Sequence, residues 1–458
     1  MTDNVTESVT ESNARTAGKT RTLDKCTEDI ELPREEAVRN ILARCSFEPA
    51  TEWVALSASF GRVIAQDVRS RNTLPNHLAA DRDGVAVYYD RFENGMPDTS
   101  GWREGVDYVF ANTGIGIPGD FDTCILIEQV SFDDEGHIRF ATAPEHRGFK
   151  TIPAGRELNE GDLLARRGDE VTPSLAARLA KGGQTVVPVM RRPVVTFLPT
   201  GTELVPPDAE LPLRKNVDAN STLVLGKLLD AGAQPVVFPI SRDDRELLRE
   251  RLRQAVDSSD IVIINAGSSK GTDDFAHEVI AEMGEIFNHQ VDTGPGKHTM
   301  YALVDGVPVV GLSGPTPCCD CTFDWYVRPL IARYYGQPDI AFPQLKARAL
   351  VGMRTSKTTV TFMLAARAFM DEAGQTWVVP MANLKCLDTA SDEDTNTDRT
   401  RLLGGRAADQ GANCYVPMAP GFSVEAGDDV TVELRWPFTA PALEPALRDA
   451  ASKEAFGF

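Results

Sequence analysis

The chain has 458 residues, 42% of them apolar and 25% charged, and a formal charge of −20. That length suits about three domains with ample core. The acidic balance argues against a nucleic-acid-binding surface, whose affinity rests on phosphate neutralisation, though a local nest of N–H groups still suits a small anion.

No run approaches the roughly 18 uninterrupted apolar residues of a membrane span. Residues 1–25 are Thr/Ser/Glu-rich without a hydrophobic segment, so they read as a disordered tail and not as a signal peptide. The eight cysteines are Cys26, Cys45, Cys124, Cys318, Cys319, Cys321, Cys386 and Cys414. With no export signal, reduced thiols and a soluble cytoplasmic protein are expected.

From Pro33 to Cys45 the apolar spacing predicts an amphipathic helix opened by proline. Glu52–Leu56 reads as a short strand. Leu74–Val87 is a loop that turns at Asp83-Gly84 into a strand. Residues 88–150 hold short β-like runs, clearest at Cys124–Glu128, and one pointed loop, Ala111–Asp120; they read as an all-β insertion. Thr172-Pro173 starts a helix over Ser174–Lys181, with Gly182 as its C-cap.

The stretch Arg192–Leu330 is a βα alternation. Pro193–Leu198 and Asp260–Ile264 are apolar runs of the kind found in parallel strands covered on both faces. Each leaves its carboxyl end through a polar loop, where open α/β sheets hold their ligands. Leu213–Leu229 holds a turn at Asn216–Ser221 and a helix, Asp243–Leu252 reads as a second helix, and another is expected from about Cys319 to Ile331. Beyond Gly336 the pattern is β at 346–352, 359–365, 377–380 and 429–434, interrupted by an acidic loop from Asp388 to Arg399.

Four loops of the βα stretch carry chemistry. After the first strand come Thr200, Gly201, Thr202 and Glu203: hydroxyl donors, a close backbone approach and a carboxylate able to hold a metal. After the second come Gly267, Ser268, Ser269, Gly271, Asp273 and Asp274. Thr272 or Asp273 would cap the following helix and leave its N–H groups to an anion. Lys270 precedes the second glycine, so the loop is neither a Walker A sequence nor GxGxxG. Thr293–Lys297 adds a cation on a stiff loop, and Gly311–Pro317 opens the last helix. Cys318, Cys319 and Cys321 lack a second pair at zinc spacing and read as buried or half-buried thiols.

In order and spacing these motifs resemble the molybdopterin molybdenumtransferase family, bacterial MoeA and the E domain of gephyrin. Asp83-Gly-Val-Ala-Val stands for DGYAV, and Thr113-Gly-Ile-Gly-Ile-Pro for TGxxIP. Arg191-Arg-Pro-Val-Val with Thr200-Gly-Thr-Glu-Leu matches RRPxVxxxxTGdEL, and Asp218-Ala-Asn220 matches DSN. Asn265 to Asp274 and Pro295-Gly-Lys297 follow the family's loops. Leu402–Asn413 and Gly427–Val430 resemble its C-terminal β domain.

The resemblance implies an elongated multidomain chain of α/β plus β class. Its parts would be a split linker domain (26–67 and 150–191), an inserted β lid (68–149), a MogA-like α/β domain with a mostly parallel sheet (192–337), a C-terminal β-barrel-like domain (338–440) and a tail (441–458). It implies a homodimer with shared active sites that inserts molybdate, or tungstate, into adenylylated molybdopterin and releases AMP with Mg2+ assisting. Asp83, Glu203, Asp273, Asp274 and Lys297 would be catalytic, and Glu203, Asp273 and Asp274 the metal ligands. Thr113, Thr200, Gly201, Asp218, Asn220, Gly267, Ser268, Ser269 and Gly271 would bind the pterin. The sequence departs from the family's polar run at Leu78-Ala79-Ala80, its loop acid at Thr272, two lysines at Gln290 and Gly294 and its PGNP turn at Ser313–Thr316; neighbours such as Lys270 and Arg82 would substitute for the missing donors and cations. A non-catalytic molybdopterin carrier or scaffold is the alternative, and metal handling at the cysteines a third reading.

Overall fold

A computed structural model describes residues 31–265, 276–355, 359–381 and 411–443. The chain divides into two units, one of residues 49–191 and one of 1–48 with 192–458.

In the larger unit, helix α1 (Arg34–Arg44) precedes a six-stranded sheet. Its strands in chain order are β1 (Val194–Pro199), β2 (Gln234–Val237), β3 (Ile261–Asn265), β4 (Glu285–Asn288), β5 (Met300–Val304) and β6 (Val307–Leu312). Across the sheet they run β2-β1-β3-β6-β5-β4, with β2, β1, β3 and β6 parallel and β5 and β4 added antiparallel. Every residue of β3 is buried, as expected for a strand covered on both faces. The helices are α2 (Asn220–Asp230), α3 (Arg245–Ser258), α4 (Ala276–Met283), α5 (Thr316–Thr322) and α6 (Arg328–Tyr334).

Helix α3 shows how the sequence fixes this packing. Asp244 caps it by accepting from the Leu247 N–H at 2.9 Å. Leu248, Leu252, Ala255 and Val256 form one stripe, and it packs on Val262, Ile264 and the α4 residues Val279 and Ile280. Each buried leucine contributes roughly 1.5–3 kcal/mol.

The last helix begins earlier than its sequence pattern predicts and is not uniform. Between α5 and α6, Phe323–Val327 form a π-helical turn. Pro329 has no N–H for the Trp325 carbonyl and its ring crowds that carbonyl, so the helix widens just before it.

The C-terminal strands are β7 (Gln344–Ala349), β8 (Thr361–Met370), β9 (Thr376–Pro380), β10 (Cys414–Met418) and β11 (Asp429–Leu434). They close a five-stranded barrel, because β8 pairs β9 through Ala366–Met370 and β10 through Phe362–Ala366. Its interior holds Ala347, Leu364, Val378, Val416 and Val432.

In the smaller unit, Thr51–Ala55 pairs with Val186–Met190, and the helix Pro173–Lys181 is capped by Thr172. Ile64, Leu164, Val171, Leu179 and Val187 form the core there. Residues 84–126 add a three-stranded sheet with Gly84–Val87 central, followed by the hairpin Val130–Phe132 with Ile138–Phe140. A Cβ on Gly84 would lie 2.2 Å from the Ile125 carbonyl oxygen, so only glycine fits there. Short 3-10 turns at Tyr89–Phe92 and Ile127–Gln129 are the only helical turns described between 84 and 140. The insertion is therefore β-built, as its sequence pattern suggests.

Candidate active site

Three of the parallel strands end together, and two side chains, Thr200 and Asn220, tie their exits. Thr200, next after β1, donates its hydroxyl to the Asn265 carbonyl at 2.6 Å. Asn265 closes β3, and its side-chain oxygen accepts from Asn220 Nδ2 at 3.0 Å. The same Asn220 nitrogen donates to the Gly314 carbonyl, just past β6, at 2.6 Å. Asn220 is 5% exposed, and its Oδ1 has no hydrogen-bond partner among the described residues. A buried amide oxygen left open at a strand-end cleft is a ready acceptor for a ligand donor.

Asp218 holds the entrance to α2. Its carboxylate accepts from the Ser221 N–H at 3.0 Å and from the Ser221 hydroxyl. Thr202 and Asp243 bond reciprocally, N–H to carboxylate at 2.9 Å and N–H to hydroxyl at 3.0 Å. Lys215 Nζ donates to the Thr202 carbonyl at 2.6 Å. Gly201 sits at φ +146°, and a Cβ there would lie 2.7 Å from a Glu203 carboxylate oxygen. The exposed Glu203 side chain is thus folded back over the Gly201 backbone.

Lys297 lies at the same sheet edge. Strand β5 runs antiparallel to β6, with Met300 opposite Gly311, so the residues just before Met300 flank the carboxyl ends of the parallel strands. Lys297 is half-buried there. Gly296 beside it, at φ +98°, is pressed on α5: a Cβ would meet Thr322 Cγ2 at 2.2 Å.

In the smaller unit the structure joins two residues that the motifs name separately. Asp83 Oδ1 accepts from the Thr113 N–H at 2.7 Å and from the Thr113 hydroxyl at 2.9 Å. These two bonds, the backbone one first, hold the Asp83 carboxyl below its ordinary range.

Gly267, Ser268, Ser269, Gly271, Asp273 and Asp274 lie outside the described residues, as do Lys270 and Thr272. Of the expected metal ligands only Glu203 is described. Among the described residues no group of three or more His, Cys, Asp or Glu side chains is placed to hold a cation.

Cys319 and Cys321 are buried and Cys318 is half-buried. Burial pushes the Cys319 thiol up to about 12 and Cys321 well above its ordinary value. Protonated thiols at such positions are poor metal ligands.

Sequence reasoning placed Asn265 and Gly314 in its loops without naming either as a site residue, and missed Asp243 and Lys215 as supports. The signal for Asn265 was its place as the polar last residue of an apolar strand. The others are set by tertiary contacts alone.

Residues 32–183 match the family model described as the MoeA N-terminal region (domain I and II), and residues 196–333 match that of a probable molybdopterin binding domain. The molybdopterin molybdenumtransferase of Bacillus subtilis (strain 168) is 28% identical over 321 residues, covering 66% of this chain and 74% of that protein. Its counterpart in Staphylococcus aureus (strain COL) is 27% identical over 367 residues, covering 76% and 86%. A solved structure of a molybdopterin biosynthesis MoeA protein from Pyrococcus horikosii aligns with a TM-score of 0.70 at 24% identity, covering 90% of this chain and 100% of that one.

Proposed function

The chain belongs to the molybdopterin molybdenumtransferase (MoeA) family, transferases of molybdenum cofactor biosynthesis, and from that premise we propose that it inserts molybdate, or tungstate, into adenylylated molybdopterin with release of AMP. The observation that carries this reading is the Thr200–Asn265–Asn220–Gly314 knot, which draws three strand exits into one cleft.

The residues of that cleft have distinct tasks in this reading. The open Asn220 Oδ1 accepts a hydrogen bond from the pterin or from the ribose of the adenylyl group, and Asp218 and Thr200 fix the backbone around it. Gly201 lets the ligand approach the main chain. Lys297 offsets phosphate or molybdate charge, and Glu203 faces the reacting end. Mg2+, when bound, would polarise the phosphoanhydride. Glu203 alone does not make such a site, so the assignment of that ion leans on Asp273 and Asp274. The Gly267–Gly271 loop is assigned to the phosphates by its composition.

The proposal includes a homodimer in the cytoplasm, in which Asp83 and Thr113 of one copy complete the cleft of the other. The division into linker (26–67, 150–191), lid (68–149), α/β (192–337) and barrel (338–440) parts belongs to the same reading. No helix among the described residues is long and apolar enough to cross a membrane, which agrees with a cytoplasmic site.

A second reading, a molybdopterin carrier or scaffold, is favoured by Gln290 and Gly294. These stand where relatives place lysines, and here both are buried in strand pairings, with Glu31 and Phe362 opposite them. The deciding experiment mixes purified protein, adenylylated molybdopterin and molybdate and follows AMP. Turnover supports the transferase. Tight pterin binding without AMP supports the carrier, and neither result overturns both.

A further inference from the structure

Between the Thr200–Glu203 loop and α2 the chain makes an excursion that returns to the cleft through a tight turn. The Lys215 N–H closes that turn on the Pro212 carbonyl at 3.1 Å, and Arg214, its third residue, sits at φ +67°. A turn with positive φ at that place favours glycine, and an arginine is strained there.

Packing does not explain the arginine. Arg214 is exposed, and Leu213 beside it is 91% exposed. The other described non-glycine residues with positive φ are Lys150 and Asp305, and each side chain has a partner. Lys150 lies 5.3 Å over the Phe149 ring, and Asp305 pairs with Arg253. Among the described residues the Arg214 side chain makes no hydrogen bond, ion pair or ring contact.

The turn is fastened to the cleft. Asn216 donates its N–H to the Glu203 carbonyl at 2.9 Å, and Leu204–Val205 pairs in parallel with Asn216–Val217. Lys215 Nζ donates to the carbonyl of Thr202, two residues past the Thr200 that ties β1 to Asn265. An ammonium has three donors, and that carbonyl takes one. No carboxylate pairs with Lys215 among the described residues. Two nearby acids are engaged otherwise, Asp243 on the Thr202 N–H and Asp218 on Ser221. Adjacent cations therefore stand against the loop that carries Glu203, in a chain of formal charge −20.

We propose that Arg214 and Lys215 form a phosphate clamp at the rim of the strand-end cleft and hold the phosphate of the adenylyl group, which rests on the reading of that cleft as the substrate site. Lys215 brings a point charge fixed by the Thr202 carbonyl. Arg214 brings a planar fork of N–H groups that matches phosphate oxygens. The strained backbone keeps a guanidinium where a glycine would relax the turn, and strain of this kind gathers at ligand clamps.

Equilibrium titration of the full chain with AMP tests this in wild type, Arg214→Asn, Arg214→Lys, Lys215→Gln and Asn220→Ala. Asparagine tolerates positive φ and carries no charge. Arg214→Asn should therefore keep or raise the melting temperature while AMP binding weakens at least ~5-fold. A purely structural arginine would give the reverse, a lower melting temperature and unchanged affinity. Arg214→Lys should hold affinity within a few-fold. Lys215→Gln should lose at least ~5-fold, and in both neutral variants affinity should depend less on salt. Equal AMP affinity in wild type, Arg214→Asn and Lys215→Gln overturns the proposal. If Asn220→Ala still weakens AMP binding in that case, the cleft itself stands as the substrate site. Losses in both neutral variants with none in Asn220→Ala support the clamp and count against the cleft. No binding by wild type at millimolar AMP overturns the proposal, and AMP release from adenylylated molybdopterin then judges the cleft by itself.

Discussion

The Arg34 guanidinium reaches the Glu433 carboxylate at 2.6 Å across 399 positions of sequence, and both side chains are buried. The same guanidinium lies 5.0 Å over Trp325 and 5.6 Å over Phe342. It thereby ties the start of α1 to the barrel strand β11 and to the π-helical turn. Removing one member of a buried pair strands the other charge, at roughly 3–5 kcal/mol. Glu433→Leu is therefore expected to lower the denaturation midpoint sharply, and the Arg34→Leu/Glu433→Leu double variant to recover much of the loss. A double-mutant cycle in urea measures this. Additive losses would show that the pair is not coupled.

Acid should weaken the hairpin of the smaller unit over a defined range. Asp133 accepts from the His137 N–H, from the Arg139 side chain and from the Glu135 N–H, which lower its pKa from the ordinary 3.8 to about 2. Because the folded value is depressed, the unfolded chain takes up the proton first. The contribution is thus complete above about 3.8 and fades as pH falls toward 2. Carboxyl NMR should show Asp133 still ionised at pH 3. In Asp133→Asn the acid limb of the stability curve should flatten over that window.

Much of this architecture is legible in the sequence for one reason: parallel strands buried on both faces must be continuous apolar runs. Val194–Pro199 and Ile261–Asn265 announce themselves in that way, and α3 shows in the run Asp243–Leu252, though Asp244 as its cap does not. The barrel closure is not legible, because it depends on Ala366 being shared between Pro380 and Cys414. No local pattern encodes that pairing. The ion network of Lys227, Asp320, Asp324 and Arg435 was invisible for a similar reason. Its members lie on α2, on the α5–α6 helix and past β11, and each reads alone as an ordinary surface charge. Within the site, Thr200 and Asn220 were legible as motif members, but the bonds that link them through Asn265 were not.

The thiols are expected to report burial. Burial pushes Cys319 and Cys414 up to about 12 and Cys45 and Cys124 up to about 11. Alkylation requires the thiolate and access. In the folded protein at pH 8, these four and Cys321 should stay unmodified by iodoacetamide while half-buried Cys318 reacts first among the described cysteines. Peptide mass spectrometry after timed quenching assigns the sites. Prompt labelling of Cys319 or Cys321 would show that α5 opens more readily than its packing implies.

Gly201 and Glu203 give the sharpest test of the strand-end cleft. A methyl group at 201 would occupy the space of the Glu203 carboxylate, with a Cβ 2.7 Å from one oxygen and 2.8 Å from the other. The carboxylate would have to swing away, and φ +146° would itself be strained for alanine. If Glu203 faces the reacting phosphoanhydride, moving it and neutralising it should act alike. Gly201→Ala and Glu203→Gln are each expected to lower AMP release at least ~10-fold, about 1.4 kcal/mol of barrier. If pterin binding rests on Asn220, Thr200 and the Gly201 backbone, it should stay within a few-fold in Glu203→Gln. Asp274→Asn, or Asp273→Asn, should show the same split if those acids hold the cation with Glu203. Single-turnover AMP release beside equilibrium binding separates the two effects. Full turnover by Glu203→Gln would remove that residue from the chemistry, and a parallel loss of pterin affinity would make it a binding residue instead.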